Sequence, residues 1–118
     1  MNSYTSVGQG ATVENGIVYM TKAYKPVEYL YYLQTGTYMV SYHAEGLASG
    51  NKTTMQIWGL DSTSLDTRAV VNGNSGTSGN GSVSFTLAVP MNIRIRIFMD
   101  VDTQTPVSVS NAQIEVGS

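Results

Sequence analysis

The sequence predicts an all-β domain with antiparallel sheets, arranged as a sandwich or a barrel, and three observations support this. Strand-favouring residues (Val, Ile, Thr, Tyr, Phe and Trp) account for 43 of the 118 residues, whereas strong helix formers are scarce. Several segments alternate apolar and polar residues, which is typical of strands with one buried and one solvated face. Turn residues separate these segments at short intervals. A chain of this length is expected to form one domain around one core.

The first sixteen residues are predicted to form a flexible or docking arm, and residues 17–118 the β-domain. The segment 1–16 is rich in Gly, Ser, Thr and Asn and shows no apolar period. Tyr4 is an aromatic residue that such an arm would not bury in a core. We therefore expect Tyr4 to anchor the arm on a neighbouring surface.

Eight segments of the remaining chain are predicted strands. The alternation is clearest at 92–100, where isoleucines fill every second position from 93 to 97. A short helical turn is the alternative at 27–33, and Asn111 with Ala112 is expected to interrupt the last strand. The predicted strands are 17–21, 27–33, 37–44, 52–60, 68–71, 82–89, 92–100 and 107–116.

Two polar stretches are predicted to connect strands. Residues 72–81, with the sequence NGNSGTSGNG, hold four Gly and three Asn and are expected to form a flexible surface loop. This loop lacks the Lys and the following helix of a phosphate-binding loop. Residues 61–66 are expected to form a polar turn or a short helical turn.

Charge and cysteine content exclude several classes of function. Only 12% of residues are charged and the net charge is −2, so the chain has no basic field for nucleic acid. The absence of Cys excludes disulfides, a thiolate nucleophile and Cys-ligated zinc. The polar N-terminus does not resemble a signal peptide, and no apolar stretch is long enough to span a bilayer. We expect synthesis in the cytoplasm, no membrane association and no cofactor.

Catalytic and metal-binding patterns are weak. His43 is the only His, and no Ser-His-Asp arrangement can be assigned, so we expect no enzyme activity. The acidic pairs Asp61 with Asp66 and Asp100 with Asp102 offer oxygen ligands of the kind calcium takes. The alternative is that these carboxylates cap turns, and we expect no metal site.

A candidate ligand-binding face combines an aromatic ring with planar hydrogen-bond donors. Alternation places these side chains on the polar sides of their strands, where Trp58 would stack on a sugar and the Arg and Gln groups would donate hydrogen bonds. The alternative is that Trp58 and Phe98 pack under a loop, on a second sheet or in an oligomer contact. The predicted ligand-binding residues are Trp58, Gln56, Arg94, Arg96 and His43.

Two segments carry a family resemblance: residues 33–44, LQTGTYMVSYHA, with the pattern L-x-x-G-x-Y-x-x-S-x-x-A, and residues 109–118, VSNAQIEVGS. The first resembles a strand, and the second the closing strand, of jelly-roll carbohydrate-binding modules, which are common in tail and baseplate proteins of bacteriophages. The resemblance covers about residues 27–118. Many such modules carry an aromatic residue before the strand at 82–89, where this chain has Gly79-Asn80-Gly81.

The resemblance implies an antiparallel β-sandwich of jelly-roll type, here with an extended N-terminal arm. It also implies a non-enzymatic bacteriophage virion protein, in a fibre, the baseplate or the head decoration, whose outward domain binds host or environmental glycans. The alternative is a purely structural capsid decoration or spike protein without a ligand. Expected partners are other virion proteins held through the arm, cell-surface polysaccharide and further copies of the chain, as a trimer. Expected localisation is the virion, assembled in the host cytoplasm.

Overall fold

The structure is a computed structural model that describes residues 11–60, 65–73 and 78–117. No helix in these ranges is long and apolar enough to cross a membrane. The described chain forms nine strands: β1 (Thr12–Glu14), β2 (Ile17–Met20), β3 (Val27–Leu33), β4 (Gly36–Glu45), β5 (Lys52–Gly59), β6 (Asp66–Asn72), β7 (Ser78–Leu87), β8 (Met91–Met99) and β9 (Val107–Val116).

The strands form two antiparallel sheets that face each other across one core. The five-stranded sheet has the order β1-β2-β9-β4-β7, and the four-stranded sheet has the order β3-β8-β5-β6. Every strand pair is antiparallel. The predicted β-sandwich is therefore confirmed, and the barrel and the helical turn at 27–33 are not found.

Alternation along the strands produces the core. In β8, the side chains of Ile93, Ile95 and Ile97 are completely buried, and they belong to the same core cluster as Val40 and Tyr42 from β4 of the other sheet. Burying an aliphatic side chain of this size stabilises a fold by roughly 1.5–3 kcal/mol. The predicted inward and outward faces of β4, β5 and β8 are confirmed.

The interruption expected at Asn111 is a β-bulge. Ser41 of β4 pairs with Gln113, but His43 pairs with Ser110, so β9 carries one extra residue between these two pairs. Asn111 takes a φ of 53°, the left-handed conformation that Asn tolerates better than most residues.

The expected loop at 72–81 is shorter than predicted. Strand β6 continues to Asn72, and residues 78–81 already belong to β7, where they pair with β4. The Gly and Asn content suggested a loop, but Gly81 lies opposite the bulky Tyr42, where a side chain would not fit. Composition alone could not show this cross-strand requirement.

Part of the expected arm belongs to the sheet. Thr12–Glu14 forms the edge strand β1, which pairs with β2. The connecting residues Asn15 and Gly16 have φ values of 54° and 78°, which is typical of the two-residue Asn-Gly hairpin turn. Tyr4 lies outside the described residues.

Candidate functional site

The most distinctive surface is the solvent side of the four-stranded sheet, which we call the outer face. Because every second residue of β8 and β5 enters the core, the residues between them point outward. Strand pairing then sets two neighbouring rows across the sheet. One row is Leu30, Arg94, Trp58 and Asp66, and the next is Glu28, Arg96, Gln56 and Arg68.

A groove of about 290 Å³ crosses the outer face. One wall is aromatic, since the rings of Tyr24 and Phe98 lie 5.9 Å apart at an interplanar angle of 36°. The Tyr24 ring is largely exposed, at 65% of its full surface. The groove thus joins an accessible aromatic surface to polar side chains. Its lining residues are Tyr24, Lys52, Thr54, Gln56, Arg68, Arg96, Phe98 and Asp100.

The segment before β3 holds Tyr24 in a strained conformation. Tyr24 has a φ of 56°, which is uncommon for an aromatic residue and costs on the order of 1–3 kcal/mol. Its backbone N–H donates to the carbonyl of Met99 over 2.9 Å, and the N–H of Ala23 donates to Asp102 Oδ1 over 2.7 Å. These bonds hold the ring beside Phe98.

The two outward arginines of β8 differ in their partners. Arg94 Nε lies 3.1 Å from Glu28 Oε2, and the Arg94 guanidinium carbon lies 5.8 Å from the centre of the Trp58 ring. The Arg96 guanidinium carbon lies 6.0 Å from the Phe98 ring centre. The Nε atoms of both arginines are buried without a hydrogen bond to any described residue. The difference is the ion pair, because no carboxylate of the described residues forms one with Arg96.

Asp66 contacts two of the residues that line the groove. Gln56 Nε2 donates to Asp66 Oδ1 over 3.1 Å, and Arg68 Nε lies 3.6 Å from the same oxygen. Gln56 is only 8% exposed, so its amide is held in place. Asp66 therefore fixes one amide and balances one guanidinium.

Basic residues are concentrated on the outer face. It carries four of the six basic residues of the chain, Lys52, Arg68, Arg94 and Arg96. The described carboxylates among them are Glu28, Asp66 and Asp100. The chain as a whole has a net charge of −2, so this face is positive relative to the rest of the molecule.

Four of the five predicted ligand-binding residues share this face. Gln56 and Arg96 line the groove, whereas Trp58 and Arg94 lie in the next row. Their role in binding stays a prediction. The placement of His43 on the same face is wrong, because His43 belongs to β4 in the other sheet and alternation along one strand does not reveal which sheet the strand joins.

His43 has its own polar surroundings. Its Nδ1 lies 2.6 Å from Asn80 Oδ1 and its Nε2 lies 3.1 Å from Glu45 Oε1. Hydrogen bonds to Asn80 and Glu45 raise the pKa of His43 above its usual value, because both ring nitrogens can donate only in the protonated imidazole.

Several groove residues were not identified from the sequence. Tyr24 lies in a segment without periodicity, between the predicted strands 17–21 and 27–33. The alternation of β6 could have placed Arg68 outward, but its position next to Gln56 depends on the strand order. Lys52, Thr54 and Asp100 were missed for the same reason.

Asp100 and Asp102, one of the two acidic pairs, accept hydrogen bonds from nearby backbone groups. Asp100 Oδ1 accepts the backbone N–H of Lys52 over 3.3 Å, and Asp102 accepts that of Ala23. No group of three or more His, Asp or Glu side chains in the described ranges could hold a metal ion. Asp61 lies outside those ranges. Aromatic rings beside fixed donors are suited to holding a polar ligand.

No protein-family model matches the chain, and no curated protein matches it in sequence. Solved structures do share its fold. A CBM4 structure aligns with a TM-score of 0.66 at 11% identity, over 97% of this chain and 79% of that chain. A CBM61 module in complex with β-1,4-galactotriose aligns with a TM-score of 0.64 at 12% identity, over 86% and 69%.

A third similar structure is a CBM6 module from Clostridium stercorarium in complex with cellobiose. It aligns with a TM-score of 0.56 at 18% identity, over 92% of this chain and 84% of that chain. At these identities the likeness shows the fold. The chain has the jelly-roll β-sandwich fold of carbohydrate-binding modules, as the sequence resemblance implied.

Proposed function

We propose that the chain is a non-catalytic carbohydrate-binding domain whose glycan lies in the groove of the outer face. The observation that carries the proposal is the aromatic wall of Tyr24 and Phe98 beside the hydrogen-bond donors Gln56, Arg68 and Arg96. The fold supports it, because the similar structures include modules in complex with galactotriose and cellobiose.

The groove offers the two kinds of contact that sugars need. The apolar face of a sugar ring packs on an aromatic ring, and the exposed Tyr24 supplies one at the groove edge. Sugar hydroxyls accept hydrogen bonds from amide and guanidinium groups, which Gln56 and Arg96 supply. Trp58, in the adjacent row, would extend the aromatic surface for a longer glycan.

Binding to a panel of soluble polysaccharides tests the proposal, measured by affinity electrophoresis and then by calorimetry. The panel includes xylan, β-glucan, galactan, polygalacturonate and bacterial cell-wall polysaccharide. We expect the wild type to bind at least one polymer, and Tyr24→Ala to weaken that binding about tenfold. Trp58→Ala should weaken it for long but not for short glycans.

The matched control is His43→Ala, which removes a ring from the opposite sheet. It should bind like the wild type, and thermal unfolding checks that each variant is folded. If Tyr24→Ala and the wild type bind the polymer with equal affinity, the glycan-binding site lies outside the groove. Failure of the wild type to bind any polysaccharide would refute the proposal.

A place in a bacteriophage virion, through the N-terminal arm and a trimer, stays a prediction. Its alternative is a structural decoration domain that binds no glycan. Immunogold labelling of purified particles would test the location, and sedimentation of the isolated chain would test the trimer.

A further inference from the structure

We infer that the glycan is anionic and that a sugar carboxylate binds between Arg96 and Arg68 in the groove. This inference rests on the proposed function, since it concerns the ligand of the same site. It follows from how the charges of the outer face pair with one another.

Most of the charged groups around the groove already have partners. Glu28 pairs with Arg94 over 3.1 Å, and Asp66 lies 3.6 Å from Arg68 while accepting a hydrogen bond from Gln56. Asp100 accepts the backbone N–H of Lys52, whose ammonium forms no ion pair with a described carboxylate. Arg96 is the guanidinium of this face that no described carboxylate balances.

An unbalanced guanidinium at a half-buried position attracts an anion more strongly than an exposed one does. Arg96 is partly buried against the Phe98 ring, and its Nε lacks a hydrogen-bond partner among the described residues. Charges in such surroundings are less screened by water and salt than surface charges. A neutral sugar would leave the Arg96 charge uncompensated.

The positions of Arg96 and Arg68 suit one carboxylate. Both residues pair with Gln56, from opposite sides, so their backbones are two strand spacings or about 10 Å apart. Arginine side chains are long enough to close that distance above the short Gln56 amide. The planar guanidinium matches a planar carboxylate through two parallel hydrogen bonds.

Two acidic polymers and their neutral forms test the inference. Polygalacturonate and alginate are each compared with the same polymer after reduction of its carboxylates to alcohols, so only the charge differs. We expect at least one acidic polymer to bind about tenfold or more tightly than its reduced form. Its affinity should fall as salt is raised from 50 to 500 mM.

Variants of Arg96 test whether this residue causes the preference for acidic over reduced polymers. Arg96→Gln should bring the acidic and reduced polymers to similar affinity, and Arg96→Lys should restore only part of the difference because it lacks the planar fork. The control Lys25→Gln removes the same charge from an exposed position before β3 and should keep the wild-type ratio. Dextran sulfate, compared with dextran, measures attraction to any polyanion.

Three results would overturn the inference. If the reduced polymers or neutral glycans bind as tightly as the acidic ones, the ligand is neutral and the proposed function stands. If Lys25→Gln weakens binding as much as Arg96→Gln, or dextran sulfate binds as tightly as the uronic polymers, the attraction is unspecific. If no polysaccharide binds at all, the proposed function fails together with the inference.

Discussion

The ring of Tyr42 covers the backbone of Gly81, its partner across the β4–β7 pair. A Cβ atom on Gly81 would lie 2.5 Å from Cε1 of the Tyr42 ring. The Tyr42 hydroxyl lies 3.2 Å from the carbonyl oxygen and 3.0 Å from Oγ1 of Thr53, which belongs to the opposite sheet. One buried tyrosine therefore joins the two sheets, and it needs a glycine beneath it.

Replacing that glycine should destabilise the domain. In Gly81→Ala the new methyl group must displace a ring that is only 1% exposed and hydrogen-bonded at its far end. We expect the free energy of unfolding to fall by about 1–3 kcal/mol in urea titrations. Gly117→Ala is the control, because a Cβ there meets no atom within 4 Å. If Gly81→Ala is as stable as this control, the Tyr42 ring does not pack against Gly81 as described.

The Tyr42 hydroxyl should itself contribute to stability. Thr53 is fully buried, so Tyr42→Phe removes a hydrogen-bond partner that water cannot replace. The expected loss is about 1–3 kcal/mol in the free energy of unfolding. Tyr32→Phe, on a largely exposed ring, serves as the control and should change stability by less than about 0.5 kcal/mol. Equal stability of the two variants would show that the bond to Thr53 contributes nothing.

Local sequence patterns predicted most strands of the sandwich. They failed where contacts with residues distant in the sequence determine the structure. The alternation in β4, β5 and β8 was sufficient to assign their buried faces, because burial follows the two-residue period of a strand. Residues 78–81 have the composition of a loop, yet they pair with β4 as a strand, in which Gly81 leaves room for the Tyr42 ring. The Asn15-Gly16 turn had a local signal, but the short β1 before it had no apolar alternation.

The β-bulge at Asn111 requires a residue whose backbone adopts the left-handed conformation. Asn111→Gly should keep or slightly raise stability, because Gly adopts a positive φ without steric cost. Asn111→Val should lower the free energy of unfolding by about 1–2 kcal/mol, because a branched side chain is strained at a φ of 53°. Chemical denaturation of both variants measures the difference. If Asn111→Val and Asn111→Gly have the same free energy of unfolding, the left-handed conformation at this position does not contribute to stability.

The sequence predicted only part of the candidate site, because the site also depends on which strands are neighbours in the sheet. Alternation placed Trp58 and Arg96 outward, but a sequence does not state which strands become neighbours. Pairing of β5 with both β8 and β6 brings Gln56 between Arg96 and Arg68. For the same reason, the sequence could not show that His43 lies in the five-stranded sheet and the other four predicted residues in the four-stranded sheet.

His43 should give the domain a modest dependence on pH. Its raised pKa means that the folded state holds the imidazole proton more tightly than the unfolded state, through Asn80 and Glu45. This stabilisation is fully present below the unfolded value of about 6.5 and is lost as the pH rises through the folded pKa. The stability difference between the wild type and His43→Gln should therefore shrink between pH 5.5 and pH 8.5.

The chain has a single His, so one proton resonance in an NMR titration reports the pKa of His43 directly. We expect a value above the ordinary 6.5 and a lower one in both Asn80→Ala and Glu45→Gln. Asn80→Ala removes an acceptor from the protonated ring, and Glu45→Gln removes the negative charge beside it. Lys22→Gln, a charge change near Asp102 on a different part of the surface, should leave the titration in place. A wild-type pKa at or below 6.5 would show that the two acceptors do not hold the ring in solution.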